Sequence, residues 1–307
     1  MNGIDGILFD CDGTLVDVRA SYDLCIIETG KRLFSELTGK QADERDIERI
    51  VSVLRRTGYF NNDWDSAFGS ILLLFVSDAL LNGKKAVELA AAFSERGGDV
   101  FRLIEFARSF QVDGLSELLD YLAYPGTPPH SRLASLFDAL YYGKNIYREM
   151  YGEEAPVNAR GMITNERVLV DASFLQWVFA HLGRRPALIT GRTFRAAQIT
   201  LGELLNFFDM EASTFIEDEE KRGERRYSKP SALAAEKAIR HMGAGRCLFA
   251  GDSAEDLMLV KNARSKGLDI EFVGVTGHTL NGESVEEFFR KEGVAVVRDV
   301  NELRELI

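Results

Sequence analysis

An apolar run near the N-terminus ends in two carboxylates, Asp10 and Asp12, and Gly13 breaks the run just beyond them. The run is too short for a helix and predicts a buried strand built on Ile4, Ile7, Leu8 and Phe9. In a strand both aspartates lie on one face, so both can reach one site beyond its carboxyl end. Buried carboxylates are unfavourable unless they are paired or bind a metal, which indicates a cation site. An Asp-Gly turn in which both residues only cap the strand is the alternative.

The chain after this strand changes its hydrophobic period. From Ser21 to about Tyr151, apolar residues recur at spacings of three and four, which predicts a series of amphipathic helices without a strand. After Val157, short apolar runs such as 168–170 alternate with helical stretches, as is typical of a parallel sheet with crossover helices. We therefore expect an α/β core formed by residues 1–17 and 158–307, with an all-helical domain, residues 18–157, inserted into it.

The net charge and the residue composition limit which binding partners, metals and cellular locations are expected. The 307 residues carry a formal net charge of −11, which disfavours nucleic acid as a partner but leaves room for a small phosphate ester in a local basic pocket. No apolar run approaches the length of a bilayer span, so no membrane association is expected. Three cysteines without a pairing pattern and the absence of a leader-like start predict a cytoplasmic protein. The four histidines lack the spacing of a zinc site.

Further polar residues follow the later predicted strands. Thr190 ends the run PALIT, Asp252 follows the run CLFAG with Asp256 four residues on, and Lys229 precedes a predicted helix. Ligands of open parallel sheets bind at the carboxyl ends of the strands, so these residues should share one rim with Asp10. Carboxylate oxygens suit Mg²⁺, a lysine balances their charge, and a threonine hydroxyl can donate to a phosphoryl oxygen. This combination indicates attack on phosphorus by Asp10 and proton transfer by Asp12.

Four segments in this order, DCDGT, LITGR, SKP and GDSAED, resemble the four motifs of the haloacid dehalogenase (HAD) superfamily of phosphatases. The helical insertion after the first motif is similar to the cap of the C1-capped subfamily. The resemblance implies a Rossmann-like parallel-sheet core with an inserted all-helical C1 cap. It also implies Asp10 as nucleophile, Asp12 as acid and base, Thr190 as phosphate binder and Lys229 as the charge-balancing residue. The implied Mg²⁺ contacts are Asp10, the backbone carbonyl of Asp12, and Asp252, with Asp256 acting through water or by orienting Lys229.

The sequence departs from the family pattern in two places. The second motif reads TGR, so Gly191 and Arg192 are candidates for phosphate or substrate binding. Arg192 either holds a phosphate or a substrate carboxylate through two hydrogen bonds, or it pairs with a surface acid. The insertion is much longer than the caps of phosphoglycolate-phosphatase-like members, so their substrate residues cannot be transferred to this chain.

Candidates for substrate recognition lie in and beside the insertion. The stretch Tyr59–Asp65 combines aromatic and polar groups, and Asn62 and Trp64 within it could line a ligand pocket. The alternative is a helix N-cap, by Asn62 or Asp63, with Trp64 as a core anchor. Arg19 could bind a substrate anion or serve as a solvated hinge residue.

These patterns predict a Mg²⁺-dependent phosphatase that hydrolyses a small phosphorylated metabolite through an aspartyl-phosphate, as a monomer or a homodimer. A phosphomutase or phosphotransferase of the same fold is the first alternative, because water exclusion by the cap would decide between them. A phosphoaccepting module similar to a response-regulator receiver is the second, but such a switch has no use for the acid and base Asp12. A catalytically silent binding protein would be expected to lack at least one of Asp10, Asp12, Lys229 and Asp252, and all four are present.

Overall fold

The structure, a computed structural model, describes residues 3–60, 62–80, 85–278 and 282–307, except for the side chains of residues 220, 221, 225 and 282–284. The chain divides into two compact units. The first, called the α/β unit, contains Met1–Arg19 and Asn165–Ile307, and the second, called the helical unit, contains Ala20–Thr164. Residues 158–164, which the sequence patterns assign to the core, therefore lie in the helical unit, whereas residues 18 and 19 lie in the α/β unit.

The α/β unit is built on a six-stranded sheet. The described residues form the strands β1 (Gly6–Phe9), β2 (Val16–Asp17), β3 (Arg167–Val168), β4 (Ala187–Thr190), β5 (Thr214–Phe215), β6 (Cys247–Gly251), β7 (Ile270–Val275) and β8 (Ala295–Val297). The sheet has the order β5-β4-β1-β6-β7-β8, and each pair of neighbours is parallel. The strands β2 and β3 form a separate antiparallel ribbon. The predicted strand at 168–170 was thus wrongly assigned to the parallel sheet, because it pairs with residues just beyond the first motif.

The helical unit contains eight α-helices and no strand among its described residues. They are α1 (Tyr22–Thr38), α2 (Glu44–Arg55), α3 (Asp63–Ala79), α4 (Ala86–Arg96), α5 (Val100–Arg108), α6 (Leu115–Leu122), α7 (Arg132–Tyr142) and α8 (Lys144–Tyr151). The apolar spacing seen in the sequence forms their buried faces, as in α2, which buries Ile47, Ile50, Val51 and Leu54. No helix in the described part of the chain is both long enough and apolar enough to span a membrane.

The other α-helices among the described residues belong to the α/β unit: α9 (Ala172–Leu182), α10 (Phe194–Leu201), α11 (Ile216–Lys221), α12 (Leu233–Met242), α13 (Ala254–Ser265) and α14 (Gly282–Lys291). Alternate residues of β1 point to opposite faces of the sheet. Ile7 and Phe9 pack into one apolar cluster with Phe174 of α9, while Leu8 packs into another with residues of α12 and α13. Both faces of β1 are therefore covered, and its polar groups emerge only where the strand ends.

Candidate active site

The site begins with three neighbouring strands that end at one edge of the sheet. The central strand β1 lies between β4 and β6 and runs parallel to both. Asp10 directly follows β1, Thr190 is the last residue of β4, and Asp252 directly follows β6. The fold thus brings the ends of three motifs to the same rim, as the alternation of strands and helices predicts.

Lys229 joins this rim from the segment that precedes α12. Its Nζ donates a hydrogen bond to Asp10 Oδ1 over 2.7 Å and lies 2.7 Å from Asp256 Oδ1 in an ion pair. All three side chains are almost completely withdrawn from water, with exposed fractions of 8% for Lys229, 8% for Asp10 and 0% for Asp256. Such a buried cation between two carboxylates is strongly constrained in position, because any movement would leave a charge unpaired.

Asp256 is held by the start of its own helix. Ser253 is the N-cap of α13, and its Oγ accepts a hydrogen bond from the backbone N–H of Asp256 over 3.1 Å. In return, Asp256 Oδ2 accepts hydrogen bonds from the backbone N–H and the hydroxyl of Ser253, at 3.2 Å and 2.7 Å. Because its other oxygen lies against Lys229, both oxygens of Asp256 are engaged. The role of Asp256 in orienting Lys229 stays a prediction.

The arrangement of carboxylates fits a divalent cation. Asp10, Asp252 and Asp256 each place an oxygen within 4.8 Å of the others. Three negative charges meet one ammonium there, which leaves two charges for a cation to neutralise. Asp10 Oδ2 and both oxygens of Asp252 accept no hydrogen bond from any residue that the structure describes. Carboxylate oxygens of this kind are the ligands preferred by Mg²⁺.

Two glycines allow the carboxylates to approach the backbone. Gly13 has φ +73°, and a Cβ at this position would clash with the carboxylate of Asp252. Gly251 ends β6, and a Cβ there would lie 2.6 Å from Asp256 Oδ2. Larger residues at either position would displace an acidic side chain of the site.

The crowding of the carboxylates changes their proton affinities. Burial raises the pKa of Asp10 to about 7, although the attraction of Lys229 lowers it and the charges of Asp256 and Asp12 raise it further. Burial and the repulsion of Asp10 and Asp256 hold the pKa of Asp252 well above its usual range. Burial lowers the pKa of Lys229, but its attraction to Asp10 and Asp256 is stronger and raises that pKa. Without a bound cation, the site therefore holds protons that a cation would displace.

Asp12 belongs to a second group of charged side chains, in which its partners are buried and Asp12 itself is partly exposed. Its Oδ1 accepts a hydrogen bond of 2.6 Å from Nε of Arg192, a residue that is only 1% exposed. The other end of the guanidinium donates to both carboxylate oxygens of Glu166, which is completely buried. Burial raises the pKa of Asp12, Arg192 opposes this effect, and Glu166 adds to it. The expectation of a surface acid as the partner of Arg192 is thus wrong, because Glu166 is buried.

Glu166 is a residue that sequence reasoning missed. It stands alone before β3, outside the four motifs, and nothing in its spacing distinguishes it from a surface glutamate. Thr200 of α10 was missed for the same reason, although its hydroxyl donates to Glu166 and accepts from Arg192. Only the folded chain reveals this group.

Thr190 and Gly191 lie beside these residues at the end of β4. Thr190 is fully buried, and its Oγ1 accepts a hydrogen bond of 3.2 Å from the backbone N–H of Arg192. The hydroxyl proton of Thr190 remains the group that could meet a phosphoryl oxygen. Gly191 is exposed, and no atom of the described residues outside its chain neighbours lies within 4 Å of the position that a Cβ would take there. The binding of phosphate by Thr190 and Gly191 stays a prediction.

The other candidates for substrate binding are engaged within their own units. Arg19 donates two hydrogen bonds to the carboxylate of Asp17, at 2.9 Å and 2.7 Å. Asn62 is the N-cap of α3, where its side chain accepts hydrogen bonds from two backbone N–H groups, and Trp64 donates to Asp138 over 2.9 Å. Asn61, in the same predicted stretch, lies outside the described residues. Asn62 is therefore a helix N-cap, as the alternative interpretation expects, and the side chain of Trp64 is half-buried. Substrate binding by Arg19, Asn62 and Trp64 stays a prediction.

The chain is similar in fold to proteins of known structure. No protein-family model and no curated protein matches the sequence. A crystal structure from a structural genomics consortium matches with a TM-score of 0.63 and 15% identity, over 99% of this chain and 98% of that chain. Phosphatase Tt82 from Thermococcus thioreducens matches with a TM-score of 0.60 and 24% identity, over 92% of this chain and 98% of that chain. At these identities the similarity is one of fold. The six-stranded parallel sheet and the separate helical unit agree with the architecture that the sequence predicts.

Proposed function

We propose that the protein is a Mg²⁺-dependent phosphatase that hydrolyses a small phosphorylated metabolite through an aspartyl-phosphate on Asp10. The observation that carries this proposal is the contact of Asp10 with Lys229 inside a cluster of three carboxylates, each of which places one oxygen within 4.8 Å of the others. The fold shared with phosphatase Tt82 and the resemblance of the four motifs to those of HAD phosphatases support the same reaction.

Asp10, Asp252 and the backbone carbonyl of Asp12 would hold the Mg²⁺ ion. When bound, the ion supplies positive charge that offsets the carboxylates and the phosphoryl group of the substrate. The unpaired oxygens of Asp10 and Asp252 fit this role, whereas Asp256 has both oxygens occupied by Lys229 and Ser253.

In the first half-reaction, a carboxylate oxygen of Asp10 attacks phosphorus and the ester P–O bond breaks. The electron pair of that bond moves to the leaving oxygen, which takes a proton from Asp12. Lys229 holds the attacking carboxylate in place through the hydrogen bond to Oδ1, and the hydroxyl of Thr190 would donate to a phosphoryl oxygen.

In the second half-reaction, Asp12 removes a proton from water, and the water oxygen attacks phosphorus. The bond between Asp10 and phosphorus breaks, which releases inorganic phosphate and restores both aspartates to their starting states. One residue can serve both halves, because the second proton transfer is the reverse of the first. The raised pKa of Asp12 is consistent with a group that carries a proton during part of the cycle.

A panel of phosphorylated metabolites, assayed for free phosphate with Mg²⁺ and again with EDTA, tests the proposal. We expect Mg²⁺-dependent release from some of the panel and none from the Asp10→Asn variant. Borohydride reduction of the quenched enzyme, followed by peptide mass spectrometry, should place the phosphoryl group on Asp10. Turnover that survives EDTA or the Asp10→Asn change would contradict the metal or the nucleophile, and transfer to an added sugar alcohol in place of water would favour a phosphotransferase.

A further inference from the structure

We propose that Arg192, held in place by Glu166, is a positioning residue that orients the carboxylate of Asp12 for its proton transfers. The proposal rests on the phosphatase function proposed above and concerns only residues of the α/β unit. It replaces both roles expected for Arg192 from the sequence, namely substrate binding and a surface ion pair.

The guanidinium of Arg192 is used at both ends. Nη1 donates to Glu166 Oε2 over 3.0 Å, and Nη2 donates to Glu166 Oε1 over 3.1 Å. Such a two-bond fork defines the plane of the guanidinium as well as its distance. Nε then donates to Asp12 Oδ1 over 2.6 Å from this fixed plane.

The acceptor at the far end is itself fixed. Glu166 has no exposed side-chain surface, and it accepts a further hydrogen bond from the hydroxyl of Thr200. Nη1 of Arg192 donates to the same hydroxyl over 3.2 Å. The buried group therefore has few alternative arrangements, because each movement would leave a charge or a polar atom without its partner.

This arrangement treats the two oxygens of Asp12 differently. Oδ1 is occupied by Arg192, whereas Oδ2 accepts no hydrogen bond from any group in the described part of the chain. The side chain of Asp12 is 30% exposed, unlike its completely buried partner Arg192. Oδ2 is thus the oxygen left to give a proton to the leaving group and to take one from water. Holding this oxygen in one orientation is the contribution that a positioning residue makes to a proton transfer.

A purely structural ion pair would have a different effect when it is broken. Loss of structure lowers the activity toward all esters alike, whereas loss of orientation at Asp12 affects only the steps that move a proton. A p-nitrophenolate ion can leave without a proton, but an alkoxide cannot. The parameter kcat/KM reports steps up to the first irreversible one, so it isolates formation of the aspartyl-phosphate from its hydrolysis.

The test compares kcat/KM for p-nitrophenyl phosphate with that for glycerol phosphate, or for the best alkyl ester of the panel. The variants are Arg192→Lys, the double variant Arg192→Met with Glu166→Gln, and Asp12→Asn as reference. Arg246→Lys, which alters another arginine paired with a glutamate in the same unit, is the matched control. The double variant removes the charges of Arg192 and Glu166 together. It therefore still tests the proposal if Arg192→Lys leaves the buried carboxylate of Glu166 unpaired and the single variant does not fold.

We expect both Arg192 variants to lose about 10-fold or more kcat/KM for the alkyl ester relative to the aryl ester, as Asp12→Asn does. They should also accumulate the aspartyl-phosphate during turnover of the aryl ester, because its hydrolysis needs Asp12 as a base. Equal losses for both esters, or no loss in variants that fold, would overturn the proposal while leaving the phosphatase function intact. Absence of phosphate release from either ester by the wild type would instead overturn the function, and this inference with it.

Discussion

Lys229 Nζ lies 2.7 Å from Asp10 Oδ1, although the two residues are 219 positions apart in the chain. This contact joins the carboxyl end of the central strand to the segment before α12. The proposed nucleophile Asp10 therefore has a cationic neighbour, which offsets part of the energetic cost of ionising a buried carboxyl group.

Replacing Lys229 tests the value of this contact. In Lys229→Met we expect kcat to fall by about 10²- to 10³-fold, because the variant lacks a fixed cation beside the attacking carboxylate. The metal-free variant should also lose roughly 3–5 kcal/mol of unfolding free energy, because three carboxylates remain without their ammonium. Steady-state kinetics and urea unfolding measure the two effects. Lys237→Met is the control, since Lys237 lies on α12 and donates to a backbone carbonyl. Activity and stability like those of the control would contradict the assigned role.

Divalent cations should stabilise the fold. A cation that binds only the folded state adds about 2.7 kcal/mol to the unfolding free energy when its concentration is 100 times its Kd. We expect Mg²⁺ to raise the unfolding temperature relative to EDTA, and we expect Asp252→Asn to remove most of the increase. Differential scanning fluorimetry measures this without any substrate. Asp17→Asn is the control, because Asp17 is an acidic residue of the same unit that lies outside the cluster. This variant should respond to Mg²⁺ like the wild type. An increase that persists in Asp252→Asn would place the cation elsewhere.

The raised pKa of Asp10 predicts a pH dependence of stability. The folded state keeps the Asp10 proton up to a pH of about 7, whereas the unfolded chain releases it near the ordinary value of 3.8. This group therefore stabilises the metal-free fold fully below the lower pKa, and the contribution is lost as pH rises toward the upper one. In Asp10→Asn, we expect a metal-free protein that is inactive yet more stable than the wild type at pH 8, by an amount on the order of a few kcal/mol.

Unfolding by urea at several pH values, in EDTA, measures this difference between Asp10→Asn and the wild type. The difference between the two proteins is the relevant quantity, because Asp5, Asp17 and Glu36 have lowered pKa values that act in the opposite direction in both. Equal slopes of stability against pH in the two proteins would show that Asp10 does not hold its proton in the fold.

Gly13 gives a test of close packing at the cation site. In Gly13→Ala the new Cβ would clash with the carboxylate of Asp252, so we expect loss of Mg²⁺-dependent activity and a lower unfolding temperature. Gly183→Ala is a matched control, because Gly183 has φ +69° at the end of α9 and a Cβ there would meet no atom within 4 Å from the other residues that the structure describes. Both variants carry a backbone penalty of roughly 1–2 kcal/mol for an alanine at positive φ. Only Gly13→Ala should lose the stabilisation by Mg²⁺; equal behaviour of the two would show that the penalty is purely conformational.

Much of the fold follows from the sequence, because it depends on signals that are local in the chain. The short apolar runs and the helical period predict the parallel sheet and the helical insertion that the structure shows. Because parallel strands end at a common edge, the same signals bring Asp10, Thr190 and Asp252 to one rim. The residue types at those ends, two carboxylates and a hydroxyl, already indicate the chemistry.

The tertiary structure decided which groups these side chains contact. Asp256 is divided between Ser253 and Lys229, and Arg192 reaches Asp12 across 180 positions while Glu166 holds its other end. No period or motif encodes such contacts, because they depend on how segments far apart in the chain pack and on which side-chain rotamers that packing allows. The sequence therefore determined where the carboxylates stand, and the fold decided which of their oxygens are occupied and which remain free for a cation or a proton.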